Sequence, residues 1–237
     1  MTDSKCSGLL SAQRSPIVRS SVPLPELIGA GAPGQPRRRV GLVYGVGKSD
    51  SDKAISKSRV KNPIYQLWVN MLSRCYSNAP SALEHTQVYS DCSVDPEWHS
   101  YSAFESWVLT QDYEGKSLDK DLLCRGNKVY SSLTCVFVSK QLNAVLLDSR
   151  KTRGEFPLGV TFDTKRNKFQ ARVWQNNSAR HLGRFETAEL AHKAWQLAKS
   201  EILIGLSVSD PRIRKALDER ALQLRFDAEN GIETTKL

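Results

Sequence analysis

The chain has 237 residues and a formal net charge of +9, a length that holds one large or two small domains and a charge that points toward a polyanionic partner. No apolar run approaches the length of a spanning helix and no hydrophobic-centred signal peptide opens the chain, so a soluble cytoplasmic protein with no membrane partner is expected. Cys6, Cys75, Cys92, Cys124 and Cys135 are odd in number and lack C-x-x-C spacing, so they read as reduced thiols.

Residues 1–39 are rich in Ser, Pro, Gly and Ala and carry half of the ten prolines, with no apolar period. They read as a disordered basic arm whose Arg37, Arg38 and Arg39 either follow phosphates or only keep the chain soluble. Residues 40–47 form a short β-like run with glycines. From Asn62 the sequence predicts a helix, with Pro63 early and Ile64, Leu67, Trp68, Met71, Leu72 and Cys75 on one stripe. A second helix is expected over 102–109, with Phe104, Trp107 and Val108 on one side. Trp68, Trp98 and Trp107 are expected to build a small core.

Over 117–147 the order is strand, loop, strand, helix: SLDKDLL, CRGNKVYSS, LTCVFV, then SKQLNAVLL with Ser139 as cap. Asp119 on the first strand and Asn143 on the helix are candidate ligands for one cation, because carboxylate and amide oxygens are hard donors suited to magnesium.

The stretch 158–198 carries the clearest pattern. Phe169, Ala171 and Val173 alternate with Lys168, Gln170, Arg172 and Trp174, so one face of a strand is apolar and the other basic and aromatic. Asn176 and Asn177 supply a turn before a further strand. Thr187 then caps a helix whose Ala191, Ala194, Trp195, Ala198 and Ile202 recur at helical spacing. A three-stranded antiparallel sheet backed by one helix follows. Its uncovered face is either a solvated basic surface or a row suited to the major groove, where guanidinium groups meet guanine edges or phosphates. A last helix is expected after Asp210 and Pro211, with Ile213, Leu217 and Leu224 as a thin stripe that docks on the body or on a partner.

GVTFDTKRNKFQARV followed by LGRFETAELAHKAW resembles the plant-type Apetala/ethylene-response-factor DNA-binding domain, with Gly159, Val160, Leu182, Gly183, Phe185, Thr187, Ala188 and Glu189 in register. The resemblance implies a sheet laid in the major groove of duplex DNA. Thr161, Lys168, Arg172, Trp174 and His181 occupy places where the family contacts DNA, and Arg166 in the first turn joins this set. Leu158, Ala179 and His181 depart from the arginines and tryptophan of the family, so its sequence preference is not carried over.

The order W-x-x-M-x-x-R-C-Y from Trp68, then Glu97-Trp98, Phe104 and Trp107, then LDKDLLCRGNKVYSSLTCVFV with Asn143, resembles phage-type HNH homing endonucleases, many of which carry the same DNA-binding domain. That resemblance implies an endonuclease of duplex DNA that depends on magnesium or another divalent cation, with Asp119 and Asn143 as metal ligands. Asp119-Lys120 stands where the family has Asp-His, and Thr134 stands at its central asparagine. An ordinary lysine is protonated near neutral pH and cannot act as a base. Lys120 then serves as an atypical base, or stabilises developing negative charge with Asp121 as a substitute base, or the site is inactive and the protein only binds DNA. The expected architecture is α+β: a basic arm (1–39), a small HNH-like ββα-metal domain (40–150), a sheet-plus-helix DNA-binding domain (151–205) and a C-terminal helix and tail (206–237).

Overall fold

The computed structural model describes residues 41–50, 62–77, 91–146, 155–175 and 178–237, of which those from Leu42 to Leu237 form one unit. The arm at 1–39 and the turn residues Asn176 and Asn177 lie outside the described residues. The class is mixed α+β.

Helix α1 (Pro63–Tyr76) begins where expected, because the Asn62 side chain accepts from the amides of Ile64 and Tyr65 and proline at the first position needs no donor there. It buries Ile64, Trp68, Met71 and Leu72. A 3-10 turn (Pro96–His99) leads into α2 (Tyr101–Val108), capped by Ser100. The expected tryptophan core is present: Trp98 and Trp107 lie 4.6 Å apart by ring centroid, and the Trp68 indole donates to the Trp98 carbonyl at 2.8 Å. The β-like run at 40–47 is instead a tight turn, bridged between Val43 and Gly47.

Four short strands follow the first helix. Strand β1 (Ser93–Val94) pairs in parallel with β3 (Val129–Tyr130), and β2 (Ser117–Asp119) pairs antiparallel with β4 (Val136–Val138). All three residues of β4 are buried. Its alternating side chains therefore serve two cores: Phe137 joins the tryptophan cluster, stacking on Trp107 at 5.6 Å, while Val136 and Val138 join the second. Helix α3 (Lys140–Leu146) starts on the predicted cap, Ser139, which accepts from the Leu142 amide.

The antiparallel sheet β5 (Val160–Asp163), β6 (Lys168–Gln175) and β7 (Ser178–Phe185) is backed by helix α4 (Ala188–Gly205), capped by Thr187. Helix α5 (Pro211–Asn230) starts on Asp210 as expected and buries Ile213, Leu217 and Leu224 against α4, so it docks on the body. The second core runs without a break from Leu122, Val136, Val138 and Leu142 through Leu158, Val173 and Trp195 to Leu217 and Leu224. Among the described residues no helix is long and apolar enough to cross a membrane.

The closest approach in this half lies where the chain enters β5. Gly159 has φ of +76°, and a Cβ there would fall 2.0 Å from Cδ1 of Trp195. Positive φ costs a side chain about 1–2 kcal/mol and overpacking about 1–3 more. Gly159→Ala is therefore expected to lower unfolding free energy by about 2–5 kcal/mol in urea denaturation. An unchanged midpoint would show that Trp195 does not need this gap.

Candidate nucleic-acid interface and the Asp119 loop

Pairing register decides which side chains share the uncovered face of the sheet. Thr161 lies opposite Gln170, Gln170 opposite Arg184, Arg172 opposite His181 and Trp174 opposite Ala179. Thr161, Arg172, Trp174 and His181 are exposed there, and Trp174 retains 52 % of its surface. Lys168 is half-buried and its ammonium is bonded to Glu186. Arg166, exposed in the β5–β6 turn, donates to Asp163 at 3.2 Å. The sequence-derived set is thus gathered on one face and its adjoining turn.

Arg184 was not in that set. Simple alternation from His181 sends Arg184 toward the helix, but the register shifts between Ala171 and Arg172, so Ala171 faces Gly183 while Arg172 faces His181. The bulge inserts Leu182 and reverses the phase, and Gly183 carries φ of +140° there. The signal in the sequence was this glycine inside a strand.

Gln170 departs from its neighbours: it points to the uncovered face yet is only 7 % exposed. Its amide donates to Asp163 at 2.5 Å, its oxygen accepts from Arg172 at 2.8 Å, and Arg184 Nε donates to the same Asp163 oxygen at 3.2 Å. Burial opposes ionisation of Asp163, but hydrogen bonds from Arg184, Gln170 and Arg166 outweigh it and hold the carboxyl below its ordinary range.

The Asp119 loop is built differently. Asp119 ends β2, and its Oδ1 accepts from the amides of Asp121 at 3.0 Å and Leu122 at 2.7 Å. Asn127 crosses the loop, its amide donating to the carbonyls of Lys120 and Val129 at 2.7 Å each. Thr134 also pins it, donating to the Val129 carbonyl at 2.8 Å. Lys120 is 8 % exposed, with its ammonium 3.3 Å from the Asn127 carbonyl and 3.5 Å from Asp121.

Asp119 pairs with Val136, whereas Asn143 lies in α3, which leaves the other end of β4 after Val138. No hydrogen bond or ion pair joins Asp119 to Asn143 among the described residues. The Asp121 carboxylate is shared by two ammonium groups, Lys120 at 3.5 Å and Lys236 at 3.6 Å.

Lys236 arrives there because the C-terminal tail folds back. His192 Nδ1 lies 2.9 Å from the Leu158 carbonyl, and its Nε2 accepts from the Thr234 amide at 3.0 Å, which defines the neutral ring with its proton on Nδ1. Thr234 also donates to Asp227 at 2.8 Å, and Arg125 donates to the Lys236 carbonyl. Arg220 on α5 donates to the Asp121 carbonyl at 3.0 Å. No contact of this kind is readable from sequence spacing.

Cys75, Cys92 and Cys135 are free thiols. Burial pushes the Cys75 and Cys135 thiols up to about 12, so neither supplies a nucleophile near neutral pH. Comparison with family models, curated proteins and solved structures returns no match for the chain.

Burial and the neighbouring Asp121 charge hold the Asp119 carboxyl above its ordinary 3.8, against the two backbone bonds. The folded chain then keeps this proton more readily than the unfolded chain. Its ionisation subtracts stability as pH rises through and beyond 3.8, and that cost is absent in stronger acid. Asp119→Asn retains an oxygen for the two amides and removes the charge. The variant is expected to exceed wild type in stability near neutral pH, with the gap closing in acid; a gap of the opposite sign in urea titrations would contradict this.

Proposed function

We propose that the chain is a duplex-DNA-binding protein that lays β5–β6–β7 in the major groove and does not cut the strand it holds. The observation that carries this reading is the row of Arg172, Trp174, His181 and Arg184 on the one face of the sheet that α4 leaves uncovered. A three-stranded sheet is narrow enough for the groove, and guanidinium and indole groups suit phosphates, guanine edges and sugars. The excess of basic residues lies in the same segment: ten Lys and Arg against five acids over 151–205. Such an excess supports binding to a phosphate backbone.

The succession β2, β4, α3 supports a finer reading of the first half as a ββα unit of the HNH-like kind. Two observations favour one that has kept its scaffold and lost its chemistry: a lysine in place of the histidine base, and ammonium groups at the Asp121 carboxylate. In this reading Asp119 holds the loop through its backbone bonds, and Lys120 neutralises Asp121.

Arg172→Ala is expected to weaken duplex binding by about 1–3 kcal/mol, and wild-type affinity should fall steeply with salt. Fluorescence anisotropy across a salt series measures both, and equal affinity of variant and wild type would overturn the assignment. Plasmid and linear duplex incubated with the protein in magnesium or in EDTA should remain intact in both. Magnesium-dependent nicking that disappears in Asp119→Ala would overturn the non-cleaving part of the proposal. Stronger competition by single-stranded RNA than by duplex DNA would assign the face to RNA instead.

A further inference from the structure

Two strands that do not touch are tied together across the binding face. Asp163 ends β5 and Arg184 lies on β7, with β6 between them, yet the carboxylate and the guanidinium Nε are 3.2 Å apart. Their bond closes over Gln170, which explains why a glutamine on an outward face is buried. The same carboxylate reaches Arg172 indirectly, since Gln170 donates to Asp163 with its amide and accepts from Arg172 with its oxygen. Asp163 is only 9 % exposed at its side chain, while the Arg184 side chain keeps 40 %.

A carboxylate on a surface that met only phosphates would repel its ligand. Here it sits beneath the guanidinium groups and takes one nitrogen of Arg184, the inner Nε. The two terminal nitrogens make no hydrogen bond among the described residues, and their spacing matches N7 and O6 of guanine. Holding a long side chain in one rotamer before contact also lowers the ordering cost of binding.

We propose that Arg184 reads guanine in the major groove and that Asp163 is the positioning residue that aims it. The inference rests on the duplex-binding reading above, and it adds a base preference and the two residues that set it. In ordinary terms, Asp163 exchanges some attraction to phosphate for discrimination between bases.

Selection from a randomised duplex library with the full chain tests this. Wild type should return a motif that includes guanine. Arg184→Ala should lose the preference at one guanine position by about five- to a hundred-fold. Asp163→Ala should lose it as well, while its affinity for an unrelated duplex stays equal or rises, because a negative charge has left the face. Asp163→Asn keeps an oxygen for Arg184 and should retain part of the preference. Melting curves accompany each variant, and if Asp163→Ala fails to fold, Asp163→Asn and Arg184→Ala decide. A folded Asp163→Ala that keeps the wild-type preference overturns the proposal, as does a parallel loss of selected and unrelated duplex binding. A wild-type protein that binds duplexes without preferring guanine overturns this inference alone. Failure of wild type to bind any duplex removes the functional reading with it.

Discussion

The indole of Trp195 lying against Gly159 is the contact on which the sheet-and-helix half of the structure depends. It fixes the distance between α4 and the start of β5, and only a residue without Cβ permits it. The neighbouring His192 ring stacks on Trp195 at 5.4 Å and ties both the strand entry, through Leu158, and the tail, through Thr234. With the helix seated on one side, the apolar residues of β6 have a core and the alternate residues have none. The basic face is therefore a consequence of how the back of the sheet is covered.

The first half is joined to this assembly by β4. A strand of three residues buried on both faces belongs to two cores at once, with Phe137 among the tryptophans and Val136 and Val138 among the residues of α4 and α5. Neither core is closed without it. The Asp119 loop lies at the end of the same ladder, so its geometry is held by packing from both sides and by Arg220 and Lys236 from the C-terminal segment. Lys120 and Lys236 place two ammonium groups beside the Asp121 carboxylate.

Much of this was legible in local pattern. Caps at Asn62, Ser139, Thr187 and Asp210 begin helices where the sequence places them, since a side-chain acceptor beside an apolar stripe is a local signal. Period-two alternation found the outer row of β6 for the same reason. Arg184 escaped because one inserted residue at Leu182 inverts the alternation, and Gln170 because its burial comes from neighbours on other strands. The environment of Asp121 escaped because Lys236 is far away in the chain. Spacing reports what neighbours along the chain can share, and the charges around Asp121 come from elsewhere in the fold.

Trp174 offers the most direct test of the central claim, because its indole is 52 % exposed on the proposed face while Trp68, Trp98 and Trp195 are buried at 0 %, 1 % and 5 %. Titration of the full chain with duplex DNA, followed by the indole N–H resonances, should shift the Trp174 signal saturably and leave those three in place. A Trp174 signal that stays fixed while binding saturates would contradict the account, because the duplex would then lie on some other surface.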